Sequence, residues 1–103
     1  MTIQEIDINR VIVIDDLETV VASNESNAYF KYENNKRTDE ICGYKYYVSD
    51  GRIRELMVKV PGRLRDLGAR VPVRLVNPRI SYVYNNGEIV VTADDILNNE
   101  EQQ

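Results

Sequence analysis

Three sets of residues in this 103-residue chain have types and spacings that could do chemistry: two pairs of adjacent aspartates, a clustered set of tyrosines, and a run of arginines and lysines. The aspartates are Asp15-Asp16 and Asp94-Asp95, each beside Ile and Leu. Carboxylate pairs can exchange protons or hold metals, but adjacent ones in such surroundings read as helix caps or solvated turn residues. There is no histidine and a single cysteine, Cys42, which excludes structural zinc and Ser-His or Cys-His nucleophilic sites. Neither a Walker A loop nor a GxGxxG turn is present. An oxygen-only magnesium or calcium site stays open, though nothing resembles a calcium-binding loop. The sequence therefore predicts a protein that is not an enzyme, with no cofactor and no metal.

The tyrosines fall in three groups: Tyr29 and Tyr32 around Phe30, then Tyr44, Tyr46 and Tyr47, then Tyr82 and Tyr84. On an extended strand Tyr44 and Tyr46 face one way, and Lys45 and Tyr47 the other, so one pair faces the core and the other solvent. The cations are segregated. The net charge is −4, yet twelve of the thirteen Lys and Arg lie between Lys31 and Arg79, flanked by acidic segments on both sides. That distribution argues against a general duplex-DNA coat and permits a local basic groove for a few phosphates. Aromatic rings bordered by cations hold single-stranded nucleic acid by stacking bases and tracking phosphates. The candidate contacts are Lys45, Tyr47, Arg52, Arg54, Arg63, Arg65, Arg74 and Arg79, with Tyr29 and Tyr32 as further stacking candidates. Packing alone also accounts for tyrosines in strands, so the arginines carry more of the functional expectation.

The positioning elements read as short strands. Val11–Ile14 is a buried strand, and Asp15 or Asp16 caps a brief helix through Leu17, Val20 and Val21. Ala28–Glu33 is β-like and Asn34-Asn35-Lys36 a turn. A long strand runs from Thr38 to Ser49, with Gly43 as a bend. Asp50-Gly51 signals a tight hairpin. In the return strand, about Ile53–Val60, Leu56, Val58 and Val60 share one parity and Glu55, Met57 and Lys59 the other. Arg63–Leu67 reads as a short helix or turn. Pro72 marks an edge or strand start, Asn77-Pro78 a break, and Asn85-Asn86-Gly87 a second hairpin turn into Glu88–Ala93. The expectation is a mainly β protein, a small antiparallel β-barrel with one or two short helices. It forms one domain over residues 1–97, with 98–103 as a disordered acidic tail.

Four segments carry a resemblance: RTDEICGYKYYVSDG (Arg37–Gly51), VKVPG (Val58–Gly62), VRLVNPRI (Val73–Ile80) and TADDI (Thr92–Ile96). They are similar to a family of small proteins of Gram-positive conjugative transposons and pheromone-responsive plasmids. The likeness spans about residues 37–96, and the N-terminal third matches only loosely. One branch of that family implies a helicase processivity factor for replication of the element, with an OB-like barrel. Another implies a PUA-like, RNA-binding barrel that limits overproduction of conjugation surface proteins. Neither branch carries catalytic or base-reading residues over to this chain.

The expected role is an accessory or regulatory protein of a conjugative element, contacting single-stranded RNA or DNA through its basic middle segment. The alternative is a protein-interaction module that docks a helicase, relaxase or regulator, or a second copy of itself, through the basic strand or an edge near Pro72. No apolar run approaches the roughly 20 residues that span a bilayer, and no signal-peptide pattern opens the chain. With one cysteine, the expected location is the cytoplasm, with no membrane partner.

Overall fold

The computed structural model describes residues 17–50 and 56–99. Among the described residues, eight strands form one sheet: β1 (Leu17–Thr19), β2 (Ala28–Glu33), β3 (Lys36–Ser49), β4 (Leu56–Pro61), β5 (Pro72–Val76), β6 (Arg79–Val83), β7 (Ile89–Thr92) and β8 (Asp95–Asn98). Their order is β6-β7-β4-β3-β1-β5-β8, with β2 also on β3. The long β3 is the spine. Its first half pairs with β2, its second half with β4, and its last residues with β1. All these ladders are antiparallel except β4 with β7, which is parallel.

The connections make the sheet curl. β7 and β8 lie five strand positions apart, about 24 Å in a flat sheet, yet only Ala93 and Asp94 separate them in sequence. Three Cα steps span at most about 11 Å. The same holds for β5 and β6, linked through Asn77-Pro78. The two ends of the sheet must therefore meet, giving a curled, barrel-like fold that is mainly β.

Asp94 ties the two crossing links together. Its amide donates to the Val76 carbonyl at 2.8 Å, and its carboxylate accepts from Asn77 Nδ2 at 3.2 Å and Arg79 Nη1 at 3.1 Å. Beside it, Asp95 accepts a two-pronged bond from the Arg65 guanidinium, while the Arg65 amide donates to the Tyr46 hydroxyl at 2.7 Å. The aspartate pair thus ties the β7–β8 link to the β5–β6 link and to Arg65 of the segment between β4 and β5. The Asn77 and Arg79 bonds hold the Asp94 carboxyl below its usual range, and the Arg65 fork does the same for Asp95. A carboxylate with a depressed folded-state pKa contributes stability above its unfolded value, which is lost as pH falls through the folded one. Asp95→Asn is accordingly expected to lower stability near about pH 7 and to show a smaller deficit near about pH 3, where the parent is losing this advantage. Urea melts at both pH values measure this, and an equal deficit at both would count against it.

The core follows the strand alternation. Tyr46 and Val48 of β3, Leu56, Val58 and Val60 of β4, Val73 and Leu75 of β5, Val91 and Ile96 all point inward. Each such aliphatic side chain, fully buried, contributes about 1.5–3 kcal/mol.

Several expectations need correction. Residues 17–19 form a strand, not part of a helix. Leu17 and Thr19 are buried, whereas Val21, which a helix would turn inward with Leu17, is 47% exposed. The Asp50-Gly51 turn falls at the edge of the described residues, where Val48 pairs with Leu56, and the remainder of it lies outside them. Asp50 is buried. Arg63–Leu67 contains no helix, whereas Glu25–Asn27 forms a 3-10 turn capped by Asn24. Pro72 starts a strand but not at an edge, since β5 lies between β1 and β8. β8 was not anticipated, and it takes in Asn98, which pairs with Val73. The strand expected at Val11–Ile14 and the remainder of the tail from residue 100 lie outside the described residues.

A candidate nucleic-acid interface

The outward face of β3 and its neighbours brings together residues that lie far apart in sequence. Tyr44 and Tyr46 turn inward, so Lys45 and Tyr47 turn out. The register places Lys45 opposite Lys59, Lys59 beside Thr92, and Thr92 opposite Arg79. Two residues along the strands, Tyr47 lies opposite Met57, Met57 beside Val90, and Val90 opposite Tyr82. A cationic row and an aromatic-apolar row therefore run side by side across four strands.

The lysines face each other without compensation. Directly opposed like charges destabilise an antiparallel ladder, and no carboxylate among the described residues pairs with Lys45 or Lys59. The Lys59 ammonium instead lies 5.4 Å from the centre of the Tyr29 ring. Tyr29 pairs with Gly43, whose missing side chain leaves room for the tyrosine hydroxyl. Burial raises the Tyr29 pKa, so it stays a neutral phenol in the physiological range. This patch is positive inside an acidic protein.

The nominated residues divide. Lys45 and Tyr47 lie on this face. Arg65 and Arg79 are held by Asp95 and Asp94, although Arg79 stays half-exposed at the end of the cationic row. Arg74 points outward from β5, separated from β3 by β1, whose outward Glu18 binds Arg70. Arg63 is exposed on the loop after β4. Arg52 and Arg54 lie outside the described residues. Tyr32 is exposed on the β2–β3 arm, near Arg37, which stacks its guanidinium on Phe30 at 4.7 Å. Sequence reasoning missed Lys59, Met57 and Tyr82. The outward parity of Met57 and Lys59 was readable, but their partners depend on register.

Among the described residues, no group of three or more cysteine or acidic side chains is placed to hold a metal ion. No helix among them is long and apolar enough to cross a membrane. Fold and site together define a small, barrel-like β protein with a basic and aromatic sheet face. No protein-family model, curated protein or solved structure matches the chain.

Proposed function

We propose that this protein binds single-stranded RNA or DNA through the outward face of β3, β4, β7 and β6. It acts as a non-enzymatic accessory or regulatory factor of a conjugative element. The observation that carries the binding reading is the opposed Lys45–Lys59 pair beside the tyrosine-bearing row. A like-charge pair that costs stability and has no carboxylate partner among the described residues is well suited to an anion supplied from outside. Lysines here contribute salt-dependent phosphate contacts. The mobile-element role rests on the resemblance of the four motifs, and the choice between replication and control of conjugation-gene expression follows which strand is bound.

The test is titration of labelled single-stranded RNA and DNA at several salt concentrations. Binding is expected at low salt, and the Lys45→Gln/Lys59→Gln variant is expected to reduce the log–log salt slope by about 1.4, from roughly 0.7 per lost phosphate contact. Absence of binding to either polymer at low salt overturns the reading in favour of a protein-docking face.

A further inference from the structure

The geometry points to a specific strand path across this site: the nucleic acid runs perpendicular to the β-strands, its bases against Tyr47 and Tyr82 and its phosphates along Lys45 and Lys59. This deepens the nucleic-acid reading above and rests on it. The two rows are parallel and two residues apart, about 6.7 Å. Chemistry is segregated between them, with stacking surfaces in one and positive charge in the other. The row containing Tyr47 and Tyr82 spans three strand spacings, about 14 Å, with the part-buried Met57 and the buried Val90 between its two aromatic ends, so the stacking surfaces are the two tyrosines themselves.

Tyr82 is on this face because of an irregularity. Arg79 pairs with Thr92 and Ile80 with Val91, so strict alternation would send Tyr82 inward. The register shifts between Ile80 and Tyr82, and the extra residue, Ser81, donates from its Oγ to the Val90 carbonyl at 3.1 Å. Tyr82 is thereby turned out opposite Val90 and is 51% exposed. A bulge that re-aims one side chain is a recurring device at binding sites. Tyr84 packs against Tyr82 edge-on, with centroids 4.7 Å apart and planes at 68°. That contact restricts the ring before a base arrives, which lowers the entropy lost on stacking. At the head of the cationic row, the Tyr29 ring holds the Lys59 ammonium over the same face.

A duplex hides its base faces and offers only phosphates, so this arrangement selects single strands. The experiment compares a labelled single-stranded oligonucleotide, the same oligonucleotide with its central bases replaced by abasic sites, and the matching duplex. Tyr47→Ala and Tyr82→Ala are each expected to weaken binding of the intact single strand on the order of ten- to a hundred-fold. Neither should change binding of the abasic strand or duplex. Tyr47→Phe and Tyr82→Phe, which keep the ring, are expected to bind like the parent and to show that the fold tolerates change there. Binding that depends on Lys45 and Lys59 but is indifferent to bases and to both tyrosines overturns the strand path while leaving the nucleic-acid reading intact. No binding to any of the three probes overturns both.

Discussion

Gly43→Ala is expected to destabilise the protein by at least about 3 kcal/mol, a large part of the roughly 5–15 kcal/mol that holds a domain folded. Gly43 is where the sheet is most crowded, since it pairs with Tyr29 on one side and Pro61 on the other. A Cβ there would run into the Val60 carbonyl oxygen and lie 2.7 Å from both Pro61 Cα and the Tyr29 hydroxyl oxygen. Two of these three obstacles are backbone, so no rotamer change relieves them. The expected result is separation of β3 from β4 at this end and displacement of Tyr29, which also releases Lys59. Chemical denaturation measures the loss. The Tyr29→Phe background separates the causes, because it removes only the hydroxyl contact: Gly43→Ala should remain destabilising there. A loss under about 1 kcal/mol in either background would show that the backbone gives way easily.

That crowding was only partly readable. A glycine within a long β pattern signals a bend, and the pairing register does shift next to Gly43, between Tyr29 and Phe30 on β2. Local patterns were generally legible where they are strong. Alternation in Leu56–Val60 gave the right buried face. Asn34 and Asn35 both adopt positive φ, as a tight turn demands, and Gly87 does so after Asn85-Asn86. Elements made by distant partners were not legible. β8 has a weakly apolar sequence, DILN, and exists because it pairs with β5. The described residues of β1, Leu17–Thr19, form a strand because β3 and β5 flank them. At the site, parity alone placed Lys45 and Tyr47 together. Lys59 needed the β3–β4 register, and Tyr82 needed a bulge that no alternation rule anticipates. Arg65 and Arg79 looked free because their partners are the Asp94-Asp95 pair, 30 and 15 residues away.

Thr19 shows how β1 is held, and its replacement by valine is expected to cost about 2–4 kcal/mol. Thr19 is 2% exposed in a largely apolar core. Its hydroxyl donates to the Gly68 carbonyl at 2.7 Å and accepts from the Val71 amide at 2.8 Å. The Thr19 backbone adds two bonds to the same segment, donating to the Val71 carbonyl at 2.9 Å and accepting from the Arg70 amide at 3.0 Å. One turn below, Ser23 repeats the device, exchanging side-chain and backbone bonds with Leu67. Residues 67–71 are thus fastened to Thr19 of β1 and to Ser23 beyond it largely by hydroxyls, and this holds Arg70 at its positive φ of 59° just before β5 begins. Valine preserves the shape of threonine but leaves one carbonyl and one amide without partners, each unmet bond costing about 1–3 kcal/mol. Thr19→Ser keeps both bonds and loses only a methyl group, for about 1 kcal/mol. Equilibrium unfolding in urea compares the two variants. If serine proves the more damaging change, packing rather than hydrogen bonding holds this segment, and β1 depends on its core contacts alone.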